Sequence, residues 1–165
     1  MPRDLVADIL AANDRWRTSE LDTSLPKQPS KSVAVVTCMD ARIDAPRAFG
    51  LEPGEQHLIR NAGALVTDDV ERSLLLSQYA LGTTAVLVVA HTDCGVLGHD
   101  EEATAAAIEA ERGARPSMAL GSMTSLEEEV RASVARLRES PTLRHRDEIH
   151  GFVYDCATGT LAHVL

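Results

Sequence analysis

The sequence predicts an α/β fold, a mainly parallel β-sheet flanked by α-helices, on three observations. Apolar residues make up 44% of the 165-residue chain and aromatic ones only 3%, so the core is built from Val, Leu, Ile and Ala. Short β-branched runs alternate with helical patterns, as parallel strands joined by crossovers require. Two of these runs end in polar, cysteine-bearing loops, and open parallel sheets place their sites at strand carboxyl ends.

Along the chain, Leu5, Ile9, Ala12 and Trp16 stand at helical spacing and form one apolar stripe that has to lie on something. The stretch to Ser30 contains Pro26 and Pro29, which block both helix and ladder, and reads as an extended connector. Val33 to Val36 is a buried strand opening into the polar TCMD. His57 to Ile59 is a second strand, after the turn-like EPGE. Asp68 and Glu71 form a capping-box pattern for a helix through Leu74, Gln78 and Leu81, stopped by Gly82. Ala85 to Ala90 has the most strand-like composition and delivers HTDCG at its carboxyl end. A helix from about Asp100 to Arg112 stops at Gly113. Another starts at the capping box Thr124 to Glu127, with Val130, Val134 and Leu137 as its core face. Pro141 lies just beyond it, and FVYD followed by CATGT predicts a last strand and hairpin. The expectation is one domain over residues 1–165, with residues 1–30 forming an amino-terminal helix and extended arm.

The formal net charge of −9 leaves no basic stripe for phosphate, which excludes a nucleic-acid partner. No apolar run approaches the roughly 20 residues of a membrane span, and the start MPRDLVADIL lacks a signal peptide's layout. A cytoplasmic location is expected. Three cysteines, an odd number, argue against a disulfide framework and leave thiols free for metal.

Cys38 follows one strand, while His91 and Cys94 follow another with two residues between them. Cysteines are more often plain buried residues, but two of them at strand ends, with a histidine on one of the loops, favour a metal site. Two thiolates and one imidazole suit zinc, and the lack of a local fourth ligand leaves a position for water, as catalytic zinc sites do. Asp40 and Arg42, two apart in CMDAR, can form a bidentate pair beside Cys38 if the loop turns both inward. Zinc lowers the pKa of its bound water from about 15.7 to about 7, making hydroxide available at neutral pH. Two thiolates donate more charge than three imidazoles and raise that value, which Asp40 counters by accepting the water's hydrogen bond and aiming it.

CMDAR at 38–42, RNAG at 60–63 and HTDCG at 91–95 resemble the β-class carbonic anhydrases in order and spacing across most of the chain. The resemblance implies hydration of carbon dioxide to bicarbonate, one zinc on Cys38, His91 and Cys94, and an Asp40–Arg42 dyad. It also implies a homodimer or dimer of dimers with sites near the interface and the amino-terminal helix reaching across. Ala62 and Tyr79 fall where that family lines its carbon dioxide pocket. Ala90 stands in place of the glycine usual before the histidine, and Val35 in place of the tryptophan that allosteric members use in a bicarbonate lock.

Cys156 reads as a strand-end core residue, and His57, His99, His145, His150 and His163 have no ligand spacing. The runs EEE at 127–129 and RHR at 144–146 read as solvated faces. Two rivals remain: hydrolysis of carbonyl sulfide or carbon disulfide at the same zinc, and a non-enzymatic zinc or thiol module.

Overall fold

The computed structural model describes residues 4–165; residues 1–3, which open the MPRDLVADIL segment, lie outside the described residues. Its elements are α1 (Leu5–Ser19), β1 (Val33–Cys38), α2 (Ala45–Phe49), β2 (Gln56–Asn61), α3 (Asp68–Leu81), β3 (Ala85–His91), α4 (Glu101–Arg112), α5 (Leu126–Glu139), β4 (Ile149–Tyr154) and β5 (Leu161–His163). The sheet order is β2-β1-β3-β4-β5, parallel except for the β4–β5 hairpin.

All six residues of β1 are buried, as a central parallel strand covered on both faces requires. One sheet face packs Ala34, Val36, Val86 and Val88 against Val70 and Leu74 of α3 and Val134 and Leu137 of α5. The opposite face packs Val33, Val35 and Val89 against Leu51, with Phe49, Leu87, Phe152 and Tyr154 only partly buried. α1 buries none of its residues against the rest of the chain, and Leu5, Ile9 and Trp16 are 60%, 58% and 46% exposed. No described helix is long and apolar enough to cross a membrane.

Local chemistry sets the boundaries, and it corrects the expected ones by a residue. Thr67, not Asp68, caps α3, its side chain accepting from the Val70 N–H, while Asp68, Asp69 and Glu71 fill the first turn. Acidic groups there complement the helix dipole. Ser125 rather than Thr124 caps α5 by accepting from the Glu128 N–H. Gly82 and Gly113 end their helices in the left-handed conformation, as their placement predicts. α2, with Pro46 in its first turn, leaves no signal in the sequence because five residues are too few for a visible period.

Gly151, in the middle of β4, shows how tightly α5 seats. A Cβ there would collide with Val130 Cγ1 and lie 3.3 Å from Val134 Cγ2. Gly151→Ala should therefore destabilise the chain by about 1–3 kcal/mol through overpacking, read as a lower denaturant midpoint with an unchanged slope. An unchanged midpoint would show that α5 gives way without cost.

Candidate metal centre

β1 and β3 pair in parallel from Val33↔Ala85 to Thr37↔Val89, so their carboxyl ends finish side by side. β1 connects outward to β2 on one side and β3 leads toward β4 on the other, making this pair the point at which the strand order reverses. Such a crevice is where open α/β sheets hold ligands. Cys38 ends β1, His91 ends β3, and Cys94 follows on the next turn.

The structure brings these three together, all buried, with their donor atoms within 4.8 Å of one another. Cys38 Sγ and Cys94 Sγ lie 4.0 Å apart. Two sulfurs on a tetrahedral zinc at about 2.3 Å each stand about 3.8 Å apart. His91 Nδ1 lies 2.9 Å from the Thr92 carbonyl oxygen, which can only accept, so the proton is assigned to Nδ1. Nε2 is then a lone-pair donor, and it is buried with no hydrogen-bond partner. Burial pushes the Cys94 thiol up, and the Cys38 sulfur beside it adds to the rise against the opposing Val96 N–H. Two buried thiols and an orphaned imidazole nitrogen are what a soft divalent cation resolves, and the donor set fits zinc.

Asp40 and Arg42 do turn together. Arg42 Nε donates to Asp40 Oδ1 at 3.0 Å and Nη2 to Oδ2 at 2.9 Å, and the Arg42 main-chain N–H adds a bond to Oδ1 at 2.9 Å. These bonds hold the Asp40 carboxyl far below the usual carboxylate range, so it stays ionised. Asp40 Oδ2 is 3.9 Å from His91 Nε2, which places the carboxylate at the edge of the donor cluster.

Three further residues lie against the site without having been assigned to it from the sequence: Arg60 and Asp93, inside the quoted motifs, and Cys156. Arg60, in RNAG, donates from Nε to the Cys38 carbonyl at 2.9 Å, from Nη2 to that of Asp40 at 2.7 Å and from Nη1 to that of Ile43 at 3.2 Å. It thus holds the Cys38 loop by its main chain. Asp93 accepts from Arg42 Nη1 at 2.7 Å through Oδ2 and from Nη2 at 2.9 Å through its carbonyl. Cys156, read as a core residue remote from both ligand loops, instead places its sulfur 3.4 Å from His91 Nδ1. The parallel pairing of β4 with β3 carries it there, a proximity invisible in sequence distance.

A cavity of about 450 Å³ opens over the cluster, lined by Cys38, Asp40 and Cys94 with the apolar Met39, Ala62, Val96 and Leu120. His99 also lines it, whereas the half-buried His57 on the edge strand β2 is tied to the Ser77 hydroxyl at 2.8 Å. Ala62 thus sits in the cavity, but Tyr79 of the same chain does not. Its hydroxyl donates to the Thr142 carbonyl at 3.0 Å and its ring lies under the Arg144 guanidinium, 4.2 Å away. Ser77 and Gln78 occupy the buried face of α3, and one further residue, about 100° round the helix, points Tyr79 outward. Arg144 is exposed, as the solvated-face reading of RHR expects, and it covers the outward Tyr79 ring.

Comparison with known proteins agrees with this geometry. The family model described as carbonic anhydrase matches residues 33–161. The β-carbonic anhydrase 1 of Mycobacterium tuberculosis is 43% identical over 159 residues, 96% of this chain and 98% of that one. A crystal structure of carbonic anhydrase from Streptococcus mutans superposes with a TM-score of 0.92 at 34% identity, covering all of both chains. A carbon disulfide hydrolase from Acidianus is 48% identical, but over 63 residues only, 38% of this chain and 31% of that one. With its donor cluster at the strand-order reversal and its match to these relatives along nearly the whole chain, this protein belongs to the β-class carbonic anhydrase family.

Proposed function

We propose that the chain catalyses reversible hydration of carbon dioxide to bicarbonate and a proton, with one zinc per chain held by Cys38, His91 and Cys94. The observation that carries this reading is the convergence of two buried sulfurs and the unpartnered Nε2 of His91 beneath a largely apolar cavity. Bound there, zinc supplies a water acidified toward neutral pH. The chain's own residues do the rest. The Thr92 carbonyl fixes the His91 ring and its tautomer. Asp40, kept ionised by Arg42, retains lone pairs that accept a hydrogen bond from the attacking water and so orient it. Met39, Ala62, Val96 and Leu120 offer an uncharged, linear molecule an apolar surface. Because Arg42 grips both Asp40 oxygens, the carboxylate is held as a hydrogen-bond acceptor and not released to become a fourth ligand.

The hydrolysis of carbon disulfide or carbonyl sulfide at the same centre is the second reading, supported by the shorter match to a carbon disulfide hydrolase. The near-full-length likeness to a β-carbonic anhydrase favours carbon dioxide. A homodimer or dimer of dimers is proposed on the exposed Leu5, Ile9 and Trp16 of α1, with residues 1–30 as the arm that clasps the partner. The thiol ligands suit a reducing, cytoplasmic setting.

Stopped-flow assays of the zinc-loaded protein should show carbon dioxide hydration far exceeding carbonyl sulfide hydrolysis, with Cys94→Ser losing both zinc and activity. Equal efficiency on the two gases, or full zinc content in Cys94→Ser, would contradict the reading. Arg42→Ala should keep its zinc while kcat/KM falls about 10–100-fold, the usual loss when a group orienting the site is removed; near wild-type hydration would rule out the Asp40 role. Sedimentation should find no monomer at micromolar concentration, and removing residues 1–18 should weaken association. A fully active monomer would exclude the clasp.

A further inference from the structure

Arg42 is held from two sides. Asp40, on its own loop, takes the Nε and one Nη2 hydrogen, while Asp93, on the loop between His91 and Cys94, takes one hydrogen from Nη1 and the other from Nη2. Asp93 is neither a donor in the metal cluster nor part of the cavity lining. Its φ of 55° lies in the left-handed region, which aspartate tolerates better than most residues, and both its carbonyl and its carboxylate reach the same guanidinium.

We infer that Asp93 is a positioning residue for the hydration reaction: by gripping the outer edge of Arg42 from the second ligand loop, it fixes the plane in which Arg42 meets Asp40, and so the direction in which Asp40 faces the donor cluster. An arginine side chain has many rotamers to lose, and a single half-exposed pair holds it weakly. Arg42 is 49% exposed, so the Asp40 contact alone leaves the guanidinium free to leave. Acceptors on a second loop close that escape. They also tie the Cys38 loop to the His91–Cys94 loop by a link that involves no metal.

Two plainer accounts compete with this: an exposed ion pair without effect, since the Asp93 side chain is 84% exposed, and a residue present only for its backbone conformation. Glycine separates them, because it adopts positive φ more readily than aspartate. Asp93→Gly should keep its zinc and its melting temperature yet lose about tenfold in kcat/KM, and Asp93→Asn, which restores a side-chain oxygen, should recover most of the loss. In an Arg42→Ala background Asp93→Gly should cost nothing more, since no guanidinium is left to position. Nitrogen-15 NMR should show a protected Arg42 guanidinium signal in the parent protein and in Asp93→Asn that is lost in Asp93→Gly. Full activity in Asp93→Gly, failure of Asp93→Asn to recover it, or additive losses with Arg42→Ala would overturn the inference. The inference rests on the proposed hydration activity. The parent protein's rate tests that activity, and the Arg42 signal tests the clamp independently of it.

Discussion

The parallel pairing of β1 with β3 is the constraint from which the site follows. Five residues of β1, Val33 to Thr37, all buried, pair with β3 in a register in which Thr37 lies opposite Val89, and the buried Thr37 hydroxyl reinforces it by donating to the Val89 carbonyl at 2.9 Å. A slip of one residue would turn every side chain of the strand to the opposite face. Ala34 and Val36 would leave the face shared with α3 and α5, and Cys38 would turn away from Cys94. The apolar packing that stabilises the sheet therefore also sets the sulfur positions.

Charge explains why the strand ends are arranged as they are. Two sulfurs 4.0 Å apart in a buried crevice repel one another when ionised, and burial disfavours the thiolate of Cys94. A cation between them removes both objections, and the His91 lone pair completes the demand for one. Around this centre the chain spends its arginines on loop main chain and carboxylates. Arg60 collects three carbonyls of the 38–43 loop, and Arg42 joins that loop to the one carrying His91 and Cys94. Loops lacking secondary structure of their own are thereby given fixed shapes, which a site requiring directed ligands needs.

The opposite sheet face and α1 tell a complementary story. α3 and α5 cover one face apart from a partly buried Ile59, whereas Leu87, Phe152 and Tyr154 on the other remain partly buried and α1 buries none of its residues. The apolar stripe of α1 and this sheet face are both left incompletely covered by the chain itself. The proposed second copy of the chain would cover such surfaces.

Local composition was enough to locate the strands, the main helices and the three candidate ligands. Val33 to Val36 and Ala85 to Ala90 are β-branched runs with polar ends, Gly82 and Gly113 are helix stops, and Cys38, His91 and Cys94 stand beside recognisable turns. These are short-range properties, carried by propensity, periodicity and motif. What needed the tertiary structure was every relation between segments distant along the chain. The adjacency of Cys156 to His91 depends on β4 pairing with β3, and the outward turn of Tyr79 depends on which face of α3 the sheet takes. The reach of Asp93 to Arg42 depends on two loops meeting, because a hydrogen bond is made by position in space and leaves no period in sequence.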